Sequence, residues 1–460
     1  MRLVDKLMFS APCSHTLTKA FPSRGSLSVC LRRYTNLVGE GVPLPKSDAD
    51  HHYNKELIMG NSIFEKAWET AFHRFFCPDT ELFYDFVIDE DNNAWHHLPA
   101  VEEIKASVPN PCGWGTGMED SSINGGSALD ALVSAYAISK DSRIKKYTDA
   151  IFRGLLRCAA KEDNGFIARS VSPFDKKSRY IESSRDQYTH WIYGALRLYD
   201  SPLCDGEQRA EISRVLTSVA DKCIKDVVPE NGYQMTRADG SIGLVGKMWG
   251  GVGAHEILRL PMFYLAAFHV SGDEKYKKKY SEYINEALEG SLAHKPEAMR
   301  CYCSLQMQCS LRTVYDYDLD PAVREKTLAL MRKNAEYGTK KAVFNSKEFC
   351  KPEHRDDINY KFRKWNEVEP RDMGHFGGFD YINPAQSERK DNRAFYPVRE
   401  VAEGAIMAAM CPKYRISDEL LTAVDNMAAA VDFKRHSSVY APLLLASAHI
   451  SCKENLMINK

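Results

Sequence analysis

The 460 residues are 44% hydrophobic and 27% charged, enough apolar content for a large core and far from a disordered composition. Lys and Arg total 61 against 62 Asp and Glu, a net charge of −1, which leaves no cationic excess to displace counterions from a phosphate backbone. No apolar run reaches the roughly 18 residues of a membrane-spanning helix, so neither nucleic acid nor membrane is an expected partner.

The chain begins with a stretch, 6–38, that carries Lys6, Lys19, Arg24, Arg32 and Arg33 and no acidic residue. Its charge resembles a transit sequence, but the apolar core of a secretory signal is missing. Residues 1–50 are expected to form an extended or disordered arm outside the fold, and a cytoplasmic location is expected. Thirteen cysteines lack any repeated spacing, with Cys301 and Cys303 the one close pair, so reduced and mostly buried thiols are expected.

From residue 51 to 460 a unit recurs: an apolar-rich helix, a short turn with Asp, Ser or Pro, then a charged amphipathic helix. Turns at Ser139–Ser142, Asp200–Pro202, Ser271–Asp273, Asp316–Pro321 and Pro412–Asp418 supply helix caps, and Pro321 suits a first helical turn. The segments before those turns, 122–138, 186–199, 253–270, 301–316, 397–411 and 439–450, are rich in Ala, Leu, Met, Gly and aromatics. They read as helices covered on nearly all sides. The helices that follow, such as Arg143–Arg157 and Glu207–Lys222, are amphipathic. Six inner and six outer helices, the outer ones running from 62–76 to 416–432, predict an all-α fold, an (α/α)6 toroid of six hairpins. The outer-to-inner loops, 77–121, 162–185, 225–252, 289–300 and 338–396, are the long ones. They gather at the rim where inner helices begin, so function is expected there. Helix N-termini at that rim favour anionic groups.

Four segments of these loops could carry chemistry. The first runs from Asn110 to Gly126 and holds Trp114, a flat apolar face, and Asp120, which either caps the second helix or faces a cavity. The second opens an inner helix: Asp186, His190, Tyr193 and Arg197 share one helix face, beside Arg185. A polar stripe on an apolar helix points into a hydrated cavity or a buried network. Asp120 and Asp186 are one hairpin repeat apart and should face each other across adjacent inner helices. Two carboxylates flanking a cleft are what glycosidic hydrolysis needs: one donates a proton to the leaving oxygen, the other activates water or attacks. A separation of about 6.5–9.5 Å would suit inversion and about 5–5.5 Å retention.

The third segment, Gly240–Arg259, contains Trp249, His255 and Arg259, with His255 a hydrogen-bonding support or a catalyst. The fourth, 365–403, contains Arg393, Tyr396 and Arg399. Its arginines could hold a substrate carboxylate bidentately, or Arg399 could pair with Glu403 one turn on. Trp95, Trp114, Trp249 and Trp365 fall in the long loops, as expected of a surface that stacks on the apolar face of a sugar.

The Gly113-Trp114-Gly115…Glu119-Asp120 loop and the Ser184-Arg185-Asp186-Gln187-Tyr188 helix start resemble segments of the six-hairpin glycosidase superfamily, specifically its uronic-acid-cleaving members. The order of elements, over about residues 55–450, is similar to that of unsaturated glucuronyl and rhamnogalacturonyl hydrolases. The resemblance implies Asp120 and Asp186 as the acid/base pair acting on a terminal uronic sugar of an oligosaccharide. It implies Arg, His, Trp and Tyr side chains as the binding set, with no metal and no cofactor. Around Asp186 the sequence departs from the unsaturated-uronyl pattern, which keeps a saturated uronide or another glycoside open.

The competing enzyme reading is a sugar epimerase or polysaccharide lyase on the same toroid, with His190, His255 or His375 as base; a non-catalytic carbohydrate-binding protein is the third. No Cys/His set suits zinc. Oligomeric state is not encoded legibly. On the hydrolase reading, Asp186→Asn is expected to abolish turnover and leave the melting curve nearly unchanged, which activity assays and thermal denaturation check together.

Overall fold

The computed structural model describes residues 62–354, 364–368, 373–376, 378–382 and 392–459. The expected N-terminal arm, 1–50, lies outside the described residues. The outer helices are α1 (Ser62–Arg74), α3 (Ile144–Cys158), α5 (Gly206–Asp226), α7 (Glu274–Leu292), α9 (Pro321–Phe349) and α11 (Asp418–Ala430). The inner ones are α2 (Ser121–Ser139), α4 (Arg185–Tyr199), α6 (Arg259–Ser271), α8 (Cys301–Tyr317), α10 (Asn392–Ala409) and α12 (Tyr440–Ile458). Each inner helix packs beside the next and α12 returns to α2, so the inner ring closes; the outer helices pack on its outside. This is the (α/α)6 toroid that alternating helix character predicts.

The two rings differ because their sequences do. α3 buries Ile144, Tyr147, Thr148, Ile151, Phe152, Leu155 and Cys158, the spacing of one helical face, and leaves Lys146 and Arg153 outside. α12 buries Leu443, Leu444, Leu445, Ala446, Ala448 and Ile450 on consecutive sides, each large side chain contributing about 1.5–3 kcal/mol. Asp205, Asp273, Asp320 and Ser417 accept N–H bonds at the starts of α5, α7, α9 and α11, and Pro321 opens α9. The cap of α5 is thus Asp205, just past the Asp200–Pro202 turn.

Several boundaries differ from expectation. α6 starts at Arg259, not 253, because residues 253–258 form a turn in which the Glu256 carboxylate caps the Gly253 N–H. α9 continues to Phe349, since Gly338, Ala342, Asn345 and Ser346 stay buried at helical spacing. α10 starts at Asn392, leaving Pro397 inside the helix. The long connections also contain three antiparallel hairpins too short to be read from alternation: β1 (Phe76–Cys77) with β2 (Leu82–Phe83), β3 (Gln234–Thr236) with β4 (Ile242–Lys247), and β5 (Met373–Phe376) with β6 (Phe379–Ile382). Eleven described cysteines are free thiols, all buried except the half-buried Cys350. No described helix is long and apolar enough to cross a membrane.

The connections on the two rims are unequal. Inner-to-outer turns occupy 140–143, 200–205, 272–273, 318–320 and 410–417, whereas 75–120, 159–184, 227–258 and 350–391 run from outer to inner helices. Only 293–300 and 431–439 are short on that second rim.

α2 and α4 approach more closely than side chains allow. A Cβ on Gly126 would lie 2.1 Å from the His190 carbonyl oxygen, and one on Gly194 would lie 2.4 Å from the Gly126 carbonyl oxygen. Gly126→Ala therefore forces backbone to move. It should destabilise by about 1–3 kcal/mol, whereas Gly206→Ala, with nothing within 4 Å, should be neutral or stabilising by under about 1 kcal/mol. Urea denaturation of both variants checks the pair; equal effects would contradict a tight α2–α4 crossing.

Candidate active site

At the rim of the long loops, all six inner helices open into one cavity of about 480 Å³. Ser127 (α2), Asp186 (α4), Arg259 (α6), Tyr302 (α8), Arg399 (α10) and Tyr440 (α12) line it, together with Trp114, Glu119, Asp120, Arg169, Leu244 and Glu256 from the loops. Its volume is that of an ordinary small-ligand site.

One wall is a cluster of acids. Asp120 precedes α2 but makes no side-chain cap bond. Its Oδ1 instead accepts from Gln187 Nε2 (2.7 Å) and lies 3.8 Å from Arg169 Nη1, while its Oδ2 accepts from the Tyr440 hydroxyl. The capping alternative is thereby set aside. Beneath it, fully buried Asp85 accepts from the backbone N–H of Glu119 (2.7 Å) and of Asp120 (3.0 Å) through Oδ2, and from Asn124 Nδ2 (2.9 Å) through Oδ1. Asp85 also joins two loops, since its N–H donates to Gly117 O and its carbonyl accepts from Val439 N. Burial, and then the neighbouring charges of Asp120 and Glu119, raise the Asp85 pKa well above the carboxylate range. Burial followed by the Asp120 charge pushes Glu119 up to about 8. On α10, burial raises Glu403 to about 7 although Arg399 opposes it.

The other wall holds cations and ionised acids. Arg259, 1% exposed, pairs with Asp186 Oδ1 and donates to Gln306 Oε1 (2.7 Å). Arg185 pairs with Glu256 and donates to Lys247 O at the end of β4 (2.8 Å). Burial alone would raise the pKa of Asp186; the charges of Arg259 and Arg185 outweigh it and hold Asp186 well below the usual range. Glu256 is lowered likewise, by Arg185, Arg259 and His255 acting against burial. His190 sits between the walls, its Nδ1 3.3 Å from Ser127 Oγ, and burial takes its pKa down to about 4, so the ring is neutral. Burial also lowers His255, which lies 3.6 Å from Glu256.

The structure brings together Asp120, Asp186, Trp114, Arg185, His190, His255, Tyr396 and Arg399 as lining residues of this cavity. Others are corrected. Tyr193 is buried beside a separate chamber of about 20 Å³ beneath it, and Arg197 bonds Asp130, Ser134 and Glu454, so the polar stripe of α4 is cavity wall at its start and buried network at its end. Trp249 is buried edge-on against Tyr283, away from the cavity. Arg399 donates to Glu403 Oε1 (2.9 Å) and lies 4.1 Å over the Tyr440 ring, which commits it to the protein. Trp95 and Trp365 are not among the lining residues, and His375 is exposed and paired with Asp380. The side chain of Arg393 lies outside the described residues.

Sequence reasoning passed over Asp85, Glu119, Arg169, Gln187, Glu256, Tyr302 and Tyr440. For Asp85 a signal existed, a lone carboxylate within the run Leu82-Phe83-Tyr84-Asp85-Phe86-Val87. Trp114 is held by the loops themselves: Arg169 lies 5.6 Å over its ring, and Tyr381 of β6 meets it edge-on at 5.4 Å.

No family model and no curated protein matches this chain. Among solved structures, it is similar to a GH76A α-1,6-mannanase from Salegentibacter sp. HEL1_6, at 14% identity over 60% of this chain and 86% of that one, with a TM-score of 0.32. An inactive variant of that mannanase in complex with α-1,6-mannotetrose gives a TM-score of 0.34 at the same identity and coverage. A sugar epimerase from a ruminal bacterium is similar at 11% identity over 72% of this chain and 86% of that one, with a TM-score of 0.40. Scores this low carry no weight for chemistry.

The ion pair with buried Arg259 revises the expectation for Asp186→Asn. A charge-assisted bond of this kind contributes about 1.5–3 kcal/mol, and with 33% of the Asp186 side chain exposed the lower end applies. The variant should therefore melt below the wild type. Because the folded pKa lies beneath the unfolded value, that contribution is present above about pH 4 and fades as pH falls. Urea denaturation should show the gap between variant and wild type narrowing from pH 7 to pH 3; a gap that widened in acid would contradict the ionised pair.

Proposed function

We propose that this chain is a glycoside hydrolase that removes a terminal acidic sugar, of the uronic class, from an oligosaccharide. The observation that carries this reading is the juxtaposition, across adjacent inner helices, of Asp120 and Asp186 on one cavity. The two carboxylates sit in opposite environments. Asp186 is kept ionised by Arg259, ready to meet positive charge developing at an anomeric carbon or to take a proton from water. The Asp120 side holds Glu119, a carboxyl pushed up to about 8 that keeps its proton near neutrality, as the donor to a leaving oxygen must.

An acidic sugar is favoured by the charge count of the wall. Glu119, Asp120, Asp186, Glu256 and Glu403 face Arg169, Arg185, Arg259 and Arg399. One proton on Glu119 balances the two signs, so the wall carries no net negative charge to repel an acidic sugar. Trp114 supplies the half-exposed aromatic face on which a sugar ring stacks.

A second reading, epimerisation by proton abstraction, draws on one observation: His190 is neutral and stands beside the Asp186 wall. Mass separates the two. Incubation with saturated and unsaturated uronic oligosaccharides and with neutral ones, in H₂¹⁸O, should yield a released acidic monosaccharide carrying one ¹⁸O. Asp120→Asn and Asp186→Asn should each slow release by about 10²–10⁴-fold. Products of unchanged mass would move the assignment to epimerisation, and release of neutral sugars alone would remove the uronic specificity.

A further inference from the structure

The two adjacent acids at the start of α2 are not equivalent. Every partner of the Asp120 carboxylate is a donor: Gln187 Nε2 and Arg169 at Oδ1, the Tyr440 hydroxyl at Oδ2. Both Asp120 oxygens are thus engaged within the protein. Glu119 is different. Its Oε1 accepts one bond, from the Gly115 N–H, and its Oε2 accepts none among the described residues, while the side chain borders the cavity. Asp85 grips the backbone N–H of both residues, fixing the peptide from which the two side chains diverge. The remaining acid on that wall, Glu403, is 4% exposed and takes both the Nε and Nη2 donors of Arg399 on a single oxygen.

From this arrangement we infer that Glu119, rather than Asp120, is the group that protonates the leaving oxygen, with Asp120 held beside it as a positioning residue. The inference rests on the hydrolytic reading proposed above. In the step, the bond between the anomeric carbon and the glycosidic oxygen breaks, and its electron pair leaves with that oxygen. The proton on Glu119 Oε2 passes to the leaving oxygen as it departs. Water bonds to the anomeric carbon and gives one proton to Asp186; Asp186 then releases that proton to solvent and Glu119 takes one back, so both carboxyls return to their starting states. No oxidant or further reactant is required. Burial, and then the charge of Asp120 next door, make loss of the Glu119 proton costly and push its pKa up to about 8, in keeping with a proton held at neutral pH.

Leaving-group dependence tests this. Two substrates with the same acidic sugar are compared, the oligosaccharide and the glycosyl fluoride, whose departure needs no proton from the protein. Glu119→Gln keeps an oxygen for the Gly115 N–H, and its turnover of the fluoride doubles as a test of folding. The variant should lose about 10²–10⁴-fold in kcat/KM on the oligosaccharide and less than about tenfold on the fluoride. The alkaline limb of the wild-type pH profile, near pH 8, should vanish in Glu119→Gln, and in Asp120→Asn it should move to lower pH as the neighbouring charge is removed. If Glu119→Gln cleaves the oligosaccharide at the wild-type rate, or if Asp120→Asn shows the fluoride-selective rescue instead, Glu119 is not the acid while hydrolysis itself stands. If the wild type cleaves neither substrate, the hydrolytic reading falls and this assignment with it.

Discussion

Gly126 on α2 and Gly194 on α4 let those helices meet backbone to backbone, and the cavity wall depends on that contact. With any side chain at either position the helices would stand further apart. Gln187, in the first turn of α4, would no longer reach the carboxylate of Asp120 ahead of α2 at 2.7 Å. The two acids are therefore spaced by a crossing of helices rather than by loops. A toroid is suited to this, since a closed inner ring leaves no helix free to drift outward and the position of one sets that of its neighbour. The Gly338–Gly404 contact between α9 and α10 repeats the device on the far side of the ring, beneath Arg399 and Glu403.

On this frame the cavity separates charge. Four guanidinium groups and five carboxylates in a half-buried space would be costly if dispersed, because each unpaired ion loses hydration without compensation. Here each arginine has a carboxylate within reach: Arg259 with Asp186 and Arg185 with Glu256 on one wall, Arg399 with Glu403 and Arg169 near Asp120 beside the acids. Asp186 and Glu256, surrounded by positive charge, stay ionised. Burial and then like charge push Glu119 up to about 8, so it keeps its proton at neutrality, and raise Asp85 as well. The same residue types thus hold opposite protonation states across one cavity, which is the condition acid/base chemistry needs.

Much of this was legible in the chain itself. Alternation between segments such as 301–316, with apolar residues on every side, and Arg143–Arg157, with one charged face, identified inner and outer helices and so the toroid. Asp120, Asp186, His190, Arg185 and Trp114 were legible because each stands at the start of an inner helix or in a glycine-rich loop before one. Trp249 and Tyr193 were misplaced by the same logic. Proximity to the rim does not say which way a side chain turns, and Trp249 turns into Tyr283 while Tyr193 turns downward into the bore of the ring. The start of α6 was displaced to Arg259 because a capping carboxylate, Glu256, makes a turn out of residues that read as helix.

The sequence by itself determined the ring of twelve helices, the unequal rims and the placing of two aspartates, one repeat apart, at the same rim, because these follow from local periodicity and from the arithmetic of hairpins. Only the tertiary structure decided which acids hold protons and which arginines are already engaged. Those properties are set by burial and by charges brought in from distant segments, as Asp85 meets Glu119 and Tyr440 meets Asp120. No local pattern encodes the field that such contacts create.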